Sequence, residues 1–180
     1  MKNLVVLLFS FLLIIAPILS IAQESEVKAI KSKGKTEEIK WLSYDEAIKL
    51  SAKKPRKIFI DVYTDWCGWC KRMDKTTMQD AKVVAYMNKK YYAVKLNAES
   101  GKKLEYKGKT MTEQELASQI FQANSFPTTV YLDESQNLLQ PLAGYLEADV
   151  LSKVLHFFGD DYYKNVSWED FQASYNPTAN

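Results

Sequence analysis

The segment Lys57-Ile58-Phe59-Ile60-Asp61-Val62-Tyr63 restricts this chain more than any other. Its β-branched and aromatic residues favour extended backbone, and apolar side chains occupy both alternating faces instead of one. Such a strand belongs in the middle of a sheet with cover on both sides, so helices are required above and below it. Soon after it, Cys67-Gly68-Trp69-Cys70 opens a helical stretch that runs into Met73 and beyond.

The flanking sequence supplies the other layers. Ser43 and Glu46 form a capping box for a short helix ending near Lys53-Lys54-Pro55, into which Ala47, Ile48 and Leu50 put apolar groups. Asp80 caps a second helical piece that turns Val83, Val84 and Met87 inward. Tyr91 to Leu96 reads as a strand, and the lysine-rich stretch Glu99 to Met111 as an insertion or loop. Thr112 and Glu115 make another capping box, for a helix with Leu116 and Ile120 on one face, broken by Asn124-Ser125-Phe126-Pro127. Thr128 to Asp133 and Leu138 to Ala143 are strands, the latter confined by Pro141 to an edge or a bulge. Ala148 to Phe158 is a helix with Val150, Leu151, Val154, Leu155 and Phe158 inward, stopped by Gly159. Ser167 with Asp170 caps a last short helix that covers part of the surface with Trp168 and Phe171. This order joins a parallel half to an antiparallel half. It predicts an α/β fold with a mixed sheet of about four to five strands, flanking helices and a short C-terminal helical extension.

At the N-terminus, Lys2 precedes the apolar run Leu4 to Leu19, which exits through Ser20-Ile21-Ala22. That pattern is a secretory signal peptide, cleaved after Ala22. The competing reading, an uncleaved anchor, is opposed by Pro17 and by a length under the roughly 20 residues of a spanning helix. The expected layout is signal peptide 1–22, polar linker 23–40, main domain 41–158 and extension 159–180, with export to the periplasm and no stable membrane insertion after cleavage. A net charge of +2 leaves no basic excess to hold nucleic acid. Two cysteines cannot build a disulfide framework, and one histidine cannot build a multi-histidine metal site.

Chemistry therefore centres on Cys67 and Cys70. A cysteine in the first turn of a helix faces unpaired N–H groups and the positive end of the dipole, which favour thiolate. A second cysteine one helical turn on can close a disulfide with it. Cys67 suits the attacking nucleophile, and Cys70 the resolving thiol. Two other readings stand beside this one. A copper or zinc carrier would use the same thiolates but needs further ligands, for which His156 is a poor candidate on the last long helix. A redox-silent interaction domain would keep the fold without the exchange.

Asp61 through Lys71, containing Trp66-Cys67-Gly68-Trp69-Cys70-Lys71, resembles the active-site segment of thioredoxin-like proteins, and Ser125-Phe126-Pro127-Thr128 resembles their cis-proline segment. The resemblance covers roughly Trp41 to Phe158 and is nearest to exported proteins carrying W-C-G-W-C-K, related to the C-terminal domains of DsbD-type reductases. It implies a thioredoxin fold and thiol–disulfide exchange with no cofactor beyond the Cys67–Cys70 pair. It also implies Asp61 as a buried acid that moves the proton of Cys70, with Lys95 beside it. Pro127 is implied to follow a cis bond opposite the cysteines, leaving the Phe126 backbone free for an extended substrate. Trp66, Trp69, Phe126 and Pro127 are the expected substrate-binding residues, with Trp66 packed on the domain and Trp69 an exposed contact for partners. The implied partners are cysteine-containing extracytoplasmic proteins and an upstream thiol donor of DsbD type. Trp69 stands where thioredoxin proper has proline, and the insertion at 99–111 and the tail after Gly159 have no counterpart there.

Overall fold

The computed structural model describes residues 37–175, so the expected signal peptide and the polar linker up to residue 36 lie outside the described residues. The main sheet has five strands: β1 (Trp41–Leu42), β2 (Lys57–Tyr63), β3 (Tyr91–Asn97), β6 (Thr128–Leu132) and β7 (Leu138–Ala143). Their order is β1-β3-β2-β6-β7. β1 and β2 run parallel to β3, while β6 runs antiparallel to β2 and to β7. The strand with apolar residues on both faces thus takes the centre, buried from Lys57 through Val62. Pro141 lies in β7, the edge strand, where a missing N–H breaks no ladder on the open side.

Helices cover the two faces. Helix α1 (Tyr44–Lys53) starts at the expected capping box, with the Ser43 N–H donating to the Glu46 carboxylate at 2.8 Å. It packs with β3 on the face holding Ile58, Ile60, Val62 and Leu96. The opposite face, with Phe59 and Tyr131, is covered by α2 (Gly68–Lys75), α3 (Ala81–Lys90) and α5 (Ala148–Gly159). Asp80 accepts from the N–H groups of Lys82 and Val83, as a cap for α3 should. A last helix, α6 (Trp168–Ser174), opens at Ser167.

Several expectations need correction. The 99–111 stretch is no plain loop. Strands β4 (Lys103–Tyr106) and β5 (Lys109–Thr112) form a hairpin, turned by positive φ at both Lys107 and Gly108. The helix after Thr112, α4 (Glu113–Glu115), continues as one wide turn over Leu116–Ile120 in which the Phe121 N–H reaches the Leu116 carbonyl. Val150 points outward, because the buried stripe of its helix runs through Leu151, Val154, Leu155 and Phe158. Gly159 does not stop α5 as a left-handed residue; it is the last helical residue, and Asp161 takes the left-handed turn at φ 63°. Glycine is needed at 159 for space, since a Cβ there would lie 2.7 Å from the Tyr86 hydroxyl. Ile39, in the segment read as linker, is buried in the core.

The extension is also more than a surface cover. Phe171 is 3% exposed and packs on Phe157, while Trp168 meets the same ring edge-on. Phe171→Ala should therefore lower unfolding free energy by about 3 kcal/mol, the low end for a buried aromatic. Urea denaturation at unchanged m-value measures it; a loss within a few tenths would mean that the extension is an appendage.

Candidate active site

The turn after β2 delivers Cys67 to the start of α2. The Cys67 N–H bonds to the Thr64 carbonyl at 3.1 Å, closing a tight turn, and the backbone of Cys67 stays extended. Cys67 is the N-cap of α2, and its sulfur fills the place usually taken by a capping oxygen: the Cys70 N–H donates to Cys67 Sγ at 3.0 Å. No acid sits in the first turn to compete for the positive helix end. The two cysteines are joined as a disulfide with Cα atoms 5.3 Å apart, and both residues are 3% exposed. Burial therefore does not separate their roles. Position does, since one sulfur caps the helix and the other lies within it.

In the strand that leads to this turn, Asp61 faces Lys95 in the parallel register of β2 and β3. Lys95 Nζ reaches Asp61 Oδ2 at 2.6 Å and also pairs with Asp74 Oδ1 on α2. The ammonium lies 4.9 Å from the Trp41 ring centre and 5.2 Å from that of Tyr63. Asp61 is essentially fully buried, and its Oδ1 has no hydrogen-bond partner among the described residues. Burial pushes the Asp61 carboxyl above the usual aspartate range, and the Lys95 charge and hydrogen bond offset only part of that. For Lys95, burial alone would lower the pKa. The Asp61 charge, with hydrogen bonds to Asp61 and Asp74, reverses this and raises it. Asp74 was not anticipated. Its signal was an acid one helical turn after Cys70, amid Lys71, Arg72 and Lys75.

The tryptophans invert the expectation for one of them. Trp66 does not pack into the domain; it is 67% exposed, more than Trp69 at 56%. It is held by its indole N–H, which donates to Glu99 Oε1 at 2.9 Å, and by an edge contact with Phe126 at 6.1 Å. Trp69 leans on Tyr145 at 5.5 Å, with the Arg72 guanidinium 5.2 Å from the Trp69 ring centre. The Phe126–Pro127 peptide is cis. The Pro127 carbonyl accepts from Gly144, whereas the N–H and carbonyl of Phe126 make no hydrogen bond among the described residues. His156 belongs elsewhere, its ring tilted against Tyr86 and bonded to Asp160. Among the described residues no cluster of three or more histidine, cysteine or acidic side chains is arranged to hold a metal ion.

A helix-capping disulfide after a buried central strand, with a buried acid in that strand, is matched by the family model for the thioredoxin-like domain over residues 44–159. The chain belongs to that family. It is similar to the thiol:disulfide interchange proteins DsbD of Ralstonia nicotianae (42% identical over 41 residues, 23% of this chain) and of Haemophilus influenzae (28% over 119 residues, 62% of this chain). It spans only 7% and 19% of those proteins. Among solved structures, a DsbH oxidoreductase superposes with a TM-score of 0.52 at 25% identity, covering 65% of this chain and 82% of that one. A thioredoxin-fold protein from Helicobacter pylori gives 0.57 at 21% identity, covering 78% and 84%; that likeness concerns the fold.

The raised pKa of Asp61 has a consequence for stability. Between the ordinary aspartate pKa, about 4, and its higher folded value, the folded state holds more protons than the unfolded one. Stability from this group is therefore lost as pH rises through that window. Asp61→Asn should raise the thermal midpoint at pH 7, and the gain should vanish below about pH 4, where both forms are neutral. Midpoints recorded across pH test this; a variant destabilised at every pH would show that the ionised carboxylate is a net stabiliser.

Proposed function

We propose that this protein is an exported thiol–disulfide oxidoreductase that reduces disulfides in extracytoplasmic proteins. The observation that carries this reading is Cys67 Sγ acting as the cap of α2, with the Cys70 N–H already directed at it. The same donor and the helix dipole stabilise a thiolate at Cys67 once the disulfide opens, which lowers its pKa relative to free cysteine. The Cys67 thiolate attacks one sulfur of a partner disulfide and expels the other as a thiolate, which takes up a proton. Cys70 then transfers its proton to Asp61 and attacks Cys67 Sγ, releasing the second partner thiol. Two electrons leave the protein, which ends as the disulfide. The dithiol carries both electrons, so no dissociable cofactor is needed. An upstream thiol donor of DsbD type would restore it.

The direction rests on what surrounds the sulfurs. A strong oxidant needs its reduced thiolate heavily stabilised. Here the intervening residues are Gly68 and Trp69, neither of them a cation, and an ionised Asp61 opposes a second negative charge nearby. Lys71 and Arg72 act the other way. Export rests on the apolar run and the Ala22 exit; an N-terminus at Gln23 in material recovered outside the cytoplasm tests it by mass spectrometry.

Variants and a redox equilibration test the chemistry. Cys70→Ala should accumulate mixed disulfides at Cys67 and lose at least about a hundredfold in turnover, whereas Cys67→Ala should trap nothing. Asp61→Asn should slow release of the mixed disulfide near neutral pH by about tenfold or more while the fold persists. Equilibration with glutathione and dithiothreitol should place the potential nearer to about −270 mV than to about −120 mV. A value near the latter would make the protein an oxidant. A copper or zinc carrier would instead bind stoichiometric metal in equilibrium dialysis of the reduced protein.

A further inference from the structure

The disulfide sits between two aromatic walls that carry opposite charge. On one side, exposed Trp66 is fixed by Glu99 and touches Phe126, with exposed Asp65 beside it in sequence. On the other, exposed Trp69 shares the Arg72 guanidinium with Tyr145, whose ring centre lies 5.5 Å from it. Lys71 and Lys75 are exposed on the same helix. Among the described residues, none of Asp65, Glu99, Lys71, Arg72 and Lys75 forms an ion pair. Nearby opposite charges do not cancel these signs. Lys102 is engaged by Glu113 and Asp74 by Lys95, and Glu147, which acts on Tyr145, is countered by Arg72 over the same ring. Exposed tryptophan and arginine, held in place here by a half-buried tyrosine, are residue types that anchor protein contacts.

We propose that these walls orient the partner, and that the preferred partner segment is a cysteine flanked by a basic residue on one side and an acidic residue on the other. The basic residue meets Asp65 and Glu99 while the acidic one meets Arg72. Such charges at the rim of a contact act mainly through encounter and register. A segment with the reverse order places like charges together on both walls. This proposal rests on the redox reading above and specifies its substrate class.

Synthetic peptides with one cysteine capped as the methyl disulfide test it. Attack by the Cys67 thiolate on the peptide sulfur expels methanethiol, and Cys70 then frees the peptide thiol while the protein becomes the disulfide. Three peptides are compared: lysines before and glutamates after the cysteine, the reverse order, and a neutral one. With the reduced wild-type protein at low salt, the two charged orders should differ about fivefold in second-order rate constant. The difference should collapse in about 0.5 M salt. Arg72→Glu combined with Glu99→Lys should prefer the opposite order, and Arg72→Gln alone should weaken the preference without reversing it. Equal rates for the two charged orders, or a preference that the double variant keeps, would overturn the proposal while leaving the redox reading intact. If no peptide reacts, the neutral one included, the redox reading falls and this proposal with it.

Discussion

Asp61 lies inside a strand covered on both faces, and its carboxylate has Lys95 in place of water. An unpaired carboxylate there would be costly, and a buried pair is tolerable only when its geometry is satisfied. Lys95 meets this demand by touching two acids on different layers: Asp61 in the sheet and Asp74 on the helix that carries the cysteines. The ammonium therefore ties the orientation of α2 to the sheet beneath it. The aromatic faces of Trp41 and Tyr63 lie near the same nitrogen, so residues from β1, β2, β3 and α2 gather around one charge. Asp61 Oδ1 is left over as a single unmatched acceptor inside this arrangement. It is the atom that would take up the proton in the exchange proposed above.

What was legible in the sequence was local or strongly patterned. Ser43 with Glu46, Asp80, and Thr112 with Glu115 announce helix starts through contacts spanning two to three residues, and such contacts survive any tertiary arrangement. The apolar character of Lys57–Tyr63 and the cysteine spacing placed the site before its geometry was known. The hairpin at 103–112 escaped because Lys107 occupies a positive-φ position where asparagine or aspartate is the usual signal. Hydrophobicity alone turns Val150 inward, although it lies just beside the buried stripe of its helix. Trp66 was misplaced for a different reason. Its position depends on Glu99, 33 residues later in the chain, and no local rule relates the two.

The site differs from a substrate pocket in a way that matters for chemistry. Both sulfurs are nearly covered, yet the rings flanking them are largely exposed. Solvent reaches the rim more readily than the reactive atoms. A partner of the kind proposed above would therefore meet the rim before its sulfur could approach Cys67, which would put recognition and reaction in the same encounter.

The C-terminal aromatic packing separates two meanings of a domain. The family match ends at Gly159, but Phe171 closes over Phe157 from beyond that point, and Asp161 holds the buried Lys57 at the start of the central strand at 2.8 Å. The unit of homology is therefore shorter than the unit of folding. A fragment trimmed to the matched region would uncover an aromatic ring at one end of the core and leave Lys57 with Glu134 as its one remaining counter-charge. Solubility, more than catalysis, is what such a fragment would lose first, because its exposed apolar surface would favour association with other copies of itself.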